Sequence, residues 1–391
     1  MNIAVLGVAT TKFGELWDTS PRVLVREAVN GALADAQVAL EDIDAIYVGN
    51  MLSGMLGNQE NLGAFYAEEL GITAASTKVE GACASGGLAV HQGVLGILSG
   101  LYRRVLVIGV EKMTDHKPEH VASALMGAGS DGERIAGLTF PGLYALMAHA
   151  CMQKYAITES DMAAVAVKNH YHASLNTYAH FSGGAGSRSA GQMTIEHVMQ
   201  SPYVADPLKL LDCSPISDGA AAVILGEAAK TTRKSTVHIV GSSVATDTLD
   251  LADRSGITSI SATVRAAQGA YKQAKLAARD IDVAEAHDCF TIAELMALVD
   301  LGFSDGMKKA AQQVGQGAFT LNSSKKLVVN PSGGLKACGH PVGATGVKQI
   351  VEITQQLRGE AGKRQAANAH IGLTHNVGGS GAVAVVHLLR S

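Results

Sequence analysis

Aromatic side chains make up only 4% of the 391 residues, with a single tryptophan. Bulky rings therefore do not dominate the interior. Five cysteines, Cys83, Cys151, Cys213, Cys289 and Cys338, are too few for a disulfide scaffold in a chain this long. They form no CxxC pair. No run of about 18 apolar residues occurs, so no membrane span is expected. Neither sign of charge prevails: 31 basic and 35 acidic residues give a formal charge of -4. That balance excludes the basic footprint of a nucleic-acid binder or of an anionic-membrane binder. The opening Met1-Asn2-Ile3-Ala4-Val5-Leu6-Gly7 lacks a basic leader and reads as a strand. A reducing, cytoplasmic setting fits these features.

Glycine, by contrast, is abundant at 44 residues, and 47% of the chain is hydrophobic. The glycines have no period of three, which points to tight turns and close backbone approaches, not to collagen. The apolar content suffices for a large core and for two domains.

The order of elements repeats. Ile3 to Gly7 reads as a buried strand, and Pro21 to Ala39 as a helix with Ser20 as N-cap. A turn and strand follow over Glu41 to Val48. Later, Val237 to Gly241 reads as a strand, Val264-Arg265-Ala266-Ala267 opens a helix, and Asp280-Ile281-Asp282-Val283 matches Asp42-Ile43-Asp44-Ala45. Each half closes on a similar strand, Asp218 to Leu225 and Gly379 to Val386. Strands alternating with helices predict an α/β fold with mixed sheets covered by helices. The repeat predicts two like halves, 1–230 and 231–391, divided near Lys230 to Thr236. The span from about 113 to 204 interrupts the first half. It holds helical runs over Tyr144 to Tyr155 and Met162 to His172, with glycine-rich loops at Met126–Gly132 and Phe181–Gly186, and reads as an inserted lobe of the kind that covers substrate sites.

Two motifs carry the chemistry. Cys83 sits in Glu80-Gly81-Ala82-Cys83-Ala84-Ser85-Gly86-Gly87 ahead of a helix, where amide donors would lower a thiol pKa and hold an oxyanion. His340 sits in Cys338-Gly339-His340-Pro341, on a turn fixed by proline and glycine, and could take the Cys83 proton. The bland readings are a small buried thiol and a histidine that satisfies a turn carbonyl. His287-Asp288-Cys289-Phe290 follows a strand, where α/β proteins place ligands. Metal ligation by His287 and Cys289 is one reading, and proton transfer by Cys289 beside a polarising His287 is the better one. No HExxH accompanies them, no P-loop is present, and the cluster Asn376 to Gly381 lacks a dinucleotide fingerprint.

Together the three motifs resemble the thiolase superfamily, and within it the sterol-carrier-protein-2-type and archaeal acetoacetyl-CoA thiolases. The resemblance covers essentially the whole chain, including Gly49-Asn50-Met51 and Val110-Glu111-Lys112-Met113-Thr114-Asp115. It implies duplicated halves in five αβαβα layers with an inserted loop domain. It implies Cys83 as the acylated nucleophile, His340 as its base and Cys289 as the acid/base at the substrate α-carbon. His287 would hold an oxyanion-hole water. The backbone N–H groups of Cys83 and Gly378 would hold the acyl-enzyme oxygen, and Ser214 would line the pantetheine tunnel. The chain departs from the better-known thiolases at Asn376, where they carry their second cysteine, and at His287-Asp288, where they carry asparagine and glutamate.

The resemblance further implies condensation of two acetyl-CoA to acetoacetyl-CoA, with coenzyme A thioesters as substrates, no bound cofactor and no metal. It implies a homodimer or homotetramer that feeds the mevalonate route. Assembly with hydroxymethylglutaryl-CoA synthase through a small zinc-containing OB-fold protein would go with that role. Degradative cleavage of 3-ketoacyl-CoA, or a non-catalytic scaffold or lipid-binding role, are the competing readings.

Overall fold

The structure is a computed structural model that describes residues 3–183, 193–227, 236–324 and 326–391. Its strands are β1 (Ile3–Thr10), β2 (Ala45–Gly49), β3 (Ala75–Val79), β4 (Arg104–Glu111), β5 (Tyr203–Ala205), β6 (Leu208–Lys209), β7 (Gly219–Glu227), β8 (Val237–Thr246), β9 (Val283–Glu285), β10 (Val328–Val329), β11 (Ile371–Gly378) and β12 (Val383–Arg390). β5 and β6 pair as a separate hairpin. The others run in the order β10-β9-β11-β12-β8-β1-β7-β4-β2-β3.

The duplication is visible in that order. From the centre outward the first half reads β1-β7-β4-β2-β3 and the second β8-β12-β11-β9-β10. The inner pairings are antiparallel and the outer ones parallel in both. The halves meet where β1 pairs antiparallel with β8, Ile3 opposite Ile239.

Three apolar layers hold five layers of structure together. Leu24, Val25, Val29 and Ala32 of the helix Pro21–Ala36 cover Ile46, Ile108 and Ile224 on the outer face of the first half. Ala262, Ala266 and Ala270 of the helix Ser261–Ala274 cover the second half beside Val386 and Leu388. Between the halves lie the helices Ser85–Leu98 and Val342–Arg358. Their Val90, Val94, Val347, Ile350 and Val351 share one core with Val107, Val223, Ile239 and Val283 from both halves. Burial of this kind contributes about 25 cal/mol per Å² of apolar surface.

Local expectations are mostly met. Ser20 caps the first helix by accepting from the Val23 N–H at 3.4 Å. The helix ends at Ala36 and not at Ala39, because Gln37 turns left-handed at φ 54°. The last strand begins at Val383 and not at Gly379: the chain first turns through left-handed Gly379 and Gly381. Asp218 likewise precedes its strand, since its buried carboxylate accepts from the N–H groups of Met113 and Thr114.

The excursion between β4 and β7 spans 112–218, wider than the expected 113–204, because the hairpin β5–β6 and the turn after it belong to it. Its helix Glu159–Ser174 lies on the second half. Lys168 pairs with Glu294 at 3.0 Å, and the Asn169 amide donates to Asp288 at 2.6 Å. The expected boundary from Lys230 to Thr236, except Thr236 itself, and the end of the glycine loop beyond Gly183 lie outside the described residues.

The two central helices start against each other. A Cβ on Gly86 would stand 2.7 Å from the Gly343 carbonyl oxygen and 2.9 Å from the Gly346 nitrogen. A Cβ on Gly343 would stand 2.6 Å from the Gly49 oxygen. These are backbone atoms that cannot swing aside. Gly86→Ala is therefore expected to destabilise the protein by about 1–3 kcal/mol, read as a lower denaturation midpoint in urea. An unchanged midpoint would show that the helices separate freely.

Candidate active site

β3 leads directly into Glu80-Gly81-Ala82-Cys83, and the turn Ala82–Ala84 delivers the cysteine to the start of the helix Ser85–Leu98. Ala82 is left-handed at φ 54°, a conformation that costs energy in a residue with a Cβ. Local bonds hold it there. The Ala82 N–H donates to Glu80 Oε1 at 2.6 Å, the Ser85 hydroxyl donates to the Ala82 carbonyl at 2.6 Å, and the Gly81 N–H donates to Ser85 Oγ at 3.0 Å.

His340 lies between the short helix Gly334–Cys338 and the central helix Val342–Arg358. Because the two central helices touch at their first turns, His340 arrives beside Cys83. The Cys83 sulfur and a ring nitrogen each from His340 and His287 all lie within 4.8 Å of one another. The two imidazoles meet edge to face, with centroids 5.3 Å apart. The buried Nε2 of each has no hydrogen-bond partner among the described residues. The tautomer of His340 follows from its other nitrogen. Thr345 Oγ1 bonds His340 Nδ1 at 2.6 Å and lies 3.1 Å from the Pro341 carbonyl; with its proton on that carbonyl, it accepts from His340 Nδ1–H. His340 Nε2 then carries a lone pair, as a base for Cys83 needs.

Burial dominates the electrostatics. It pushes the Cys83 thiol up to about 12, against hydrogen bonds from Gly379 and from the backbone of Cys83, with Glu111 adding to the rise. It pushes His340 down to about 3, with Lys348 adding to the fall. The expected lowering of the thiol pKa by the helix start does not occur, because the amides do not offset the loss of water. The resting pair is a neutral thiol and a neutral imidazole. A backbone donor from the facing loop, Gly379, reaches the sulfur, and Gly378 beside it lies in register opposite Val383.

Each residue of His287-Asp288-Cys289-Phe290 has a distinct job. His287 faces the cavity, and burial holds its pKa well below the usual range, His340 and His375 contributing. Asp288 accepts from the Leu335 N–H at 2.6 Å, which ties this motif to the turn that carries His340. The Cys289 thiol is raised well above its ordinary pKa, by burial and then by Cys83, and touches the Tyr144 hydroxyl. Phe290 stacks on the Tyr144 ring with centroids 4.6 Å apart. Ser214 lies alongside, its N–H donating to the Cys289 carbonyl at 2.9 Å.

The residue motifs did not reveal Tyr144, which reaches the cavity from the helix Phe140–Tyr155 of the inserted lobe and donates to the Gly379 carbonyl at 3.2 Å. Nor did they reveal Glu111. Its buried carboxylate accepts from Asn50 Nδ2 (2.8 Å), Leu52 N–H (3.1 Å), Met51 N–H (3.0 Å) and Gly343 N–H (3.0 Å). The segments around Asn50 and Glu111 stood out by resemblance, and this bond is the physical content of both.

A groove of about 420 Å³, lined by Met51, Met55, Leu249 and Gly127, reaches Ala82 and Gly378. A thiolate with two imidazoles is also a donor set for a soft metal ion. The set gathered here is Cys83, His287 and His340, not the His287–Cys289 pair weighed from the sequence.

A family model for the thiolase N-terminal domain matches residues 3–229, and one for the thiolase C-terminal domain-like family matches 243–391. The chain belongs to the thiolase family. It is 47% identical to the acetyl-CoA acetyltransferase of Methanothermobacter thermautotrophicus, over 99% of both chains. It is 33% identical to sterol carrier protein 2 of Homo sapiens, over 98% of this chain and 71% of that one. Among solved structures, the Ltp2-ChsH2(DUF35) aldolase matches with a TM-score of 0.82 at 23% identity, covering 100% of this chain and 98% of its own. An acetyl-CoA acetyltransferase from Syntrophomonas wolfei matches with 0.74 at 21%, covering 100% of this chain and 99% of its own. The solved structures show the thiolase fold.

Buried neutral histidines give this thiolase fold a pH dependence. His172, His340, His375 and His387 are each pushed down to about 3, chiefly by burial. Above a pH of about 6.5 neither state binds these protons. Below it the unfolded chain takes up protons that the folded chain refuses, so stability is lost as pH falls from about 6.5 toward 3. The urea midpoint should drop between pH 7.5 and pH 5.5. A flat midpoint would mean that these rings are not held neutral.

Proposed function

We propose that the chain condenses two molecules of acetyl-CoA to acetoacetyl-CoA and CoA, through an acetyl group carried on Cys83. The observation that carries this reading is the convergence of the sulfur of partly exposed Cys83, the bare His340 Nε2 and the buried His287 ring in one place, with Cys289 close enough to Cys83 to feel its charge. The 47% identity to an acetyl-CoA acetyltransferase supports it.

The steps follow from the parts. His340 Nε2 takes the Cys83 proton as the sulfur adds to the thioester carbonyl. The bond to the CoA sulfur breaks, and the leaving CoA takes the proton of Cys289. The Cys289 thiolate removes an α-proton from the second acetyl-CoA. The carbanion attacks the acetyl carbon, the bond to Cys83 breaks, and His340 returns the proton to Cys83. Charge grows on a thioester oxygen at both stages, so two donor sites are needed. The N–H groups of Cys83 and Gly378, with Gly379 beside the sulfur, serve the acyl-enzyme. His287, directly or through a water, serves the enolate. Ser214, bound to the Cys289 backbone, lines the approach of the pantetheine arm.

Claisen condensation of unactivated thioesters is uphill, so net synthesis needs a step that removes the product. On that ground, and by resemblance, the enzyme is a cytoplasmic homo-oligomer of the mevalonate route. It works beside hydroxymethylglutaryl-CoA synthase and a small zinc-containing OB-fold protein. Among the described residues no helix is long and apolar enough to cross a membrane. A degradative role on long 3-ketoacyl-CoA finds less support, because the relatives at 47% and 42% identity are acetyl-CoA acetyltransferases and the buried Tyr144 hydroxyl bonds Cys289.

Brief incubation with acetyl-CoA followed by peptide mapping should place one acetyl group on Cys83. Label on Cys289 with none on Cys83 would overturn the assignment. Tyr144→Ala should raise kcat/KM for longer 3-ketoacyl-CoA relative to acetoacetyl-CoA by about tenfold, the scale of one or two methylenes in an apolar pocket. An unaltered ratio would place the acyl pocket elsewhere.

A further inference from the structure

By the resemblance, Asn376 stands where the better-known thiolases carry a cysteine, and nothing in the reaction above uses it. It is 1% exposed, near the end of β11, and every hydrogen-bonding group of its amide that faces the site is engaged. Oδ1 accepts from the Gly87 N–H at 3.1 Å, and Nδ2 donates to the Cys83 carbonyl at 2.9 Å. Nδ2 also faces His287 Nδ1 at 3.3 Å. A flipped amide would set two donors together at Gly87 and two acceptors together at Cys83, so its orientation is fixed by partners that cannot exchange roles. The fit is close: a Cβ on Gly346 would stand 2.3 Å from Asn376 Oδ1.

The proton on His287 follows. Its Nδ1 meets an N–H donor and therefore accepts. A neutral ring with an accepting Nδ1 carries its proton on Nε2. That Nε2 is buried, lacks a partner among the described residues and belongs to the ring that converges on Cys83 and His340. The His287 backbone N–H donates to His375 Nδ1 at 3.3 Å, and His375 Nε2 bonds Thr263 Oγ1 at 2.8 Å, which braces the residue from behind. The two cavity histidines thus hold opposite tautomers: His340 offers a lone pair and His287 an N–H.

We propose that Asn376 is a positioning residue that locks His287 as the Nε2–H tautomer. The lock makes His287 a direct hydrogen-bond donor to the thioester oxygen of the enolate, and the Asn376 amide couples that donor to the turn carrying Cys83. This deepens the thiolase reading and rests on it for the identity of the oxygen that is bound. The tautomer assignment itself does not depend on that reading.

The test uses the full-length protein labelled with ¹⁵N-histidine, with the His287 signals identified by their loss in His287→Asn. In the unmodified enzyme at pH 7.5, His287 should show a protonated Nε2 and a bare Nδ1, and His340 the reverse. Asn376→Asp keeps the shape but replaces the donor with an acceptor. It should move the His287 proton to Nδ1 or leave both nitrogens protonated. Exchange of the α-hydrogens of acetyl-CoA with deuterated water should then fall about 10²-fold or more, as for loss of one oxyanion donor, while acetylation of Cys83 falls much less. An Nδ1–H form of His287 in the unmodified enzyme would overturn the proposal. So would an Asp variant with an unchanged tautomer, or one whose acetylation falls as far as its exchange. Failure of the unmodified enzyme to acetylate Cys83 would overturn the thiolase reading instead, and leave the tautomer result standing.

Discussion

The geometry of the site depends on one contact, the meeting of two helix N-termini at glycine backbones. Gly86 on the helix after Cys83 lies against Gly343 and Gly346 on the helix after His340, with no room for a Cβ between them. The two helices come from opposite halves of a duplicated chain and share one apolar core. Duplication places their first turns side by side, and the small residues let them approach to backbone distance. Cys83 on one turn and His340 on the other then become neighbours, though 257 positions separate them in the chain.

Buried polar ties fix what the helices bring together. Glu111 gathers the N–H groups of Met51, Leu52 and Gly343 onto one carboxylate, linking the ends of β2 and β4 to the second half. Asp288 links the motif of His287 and Cys289 to the turn before His340. Such carboxylates are costly to bury, and burial pushes Glu111 and Asp288 each up to about 7. Their hydrogen bonds offset part of that cost and tie the loops to one another. The inserted lobe closes the cavity with Tyr144, which touches Cys289 and the Gly379 carbonyl together.

Much of this was legible in residue order. The repeat of strand, helix, turn and closing strand gave matching sheet paths in the two halves, because amphipathic period and turn residues act locally. The motifs around Cys83, His287 and His340 stood out because glycine, proline and histidine at fixed spacing leave a local trace. The bonding of Asn376 left none, since its three partners lie in distant segments. Tyr144 left none either: a tyrosine on an ordinary helix looks like any core residue until the lobe is seen over the cavity. The rise in the Cys83 pKa was also hidden, because the loss of water depends on packing and not on the helix start alone.

The central claim is that two thiols in one cavity divide the work, Cys83 holding the acyl group and Cys289 moving the α-proton. Measuring two exchange reactions on single variants tests it most directly. Cys289→Ala should still transfer one acetyl group from acetyl-CoA to Cys83, more slowly because the leaving CoA must take its proton from solvent, yet lose exchange of α-hydrogens with deuterated water. Cys83→Ala should lose exchange of labelled CoA into acetyl-CoA altogether. If Cys289→Ala kept α-hydrogen exchange at the level of the unmodified enzyme, the division of labour would be wrong.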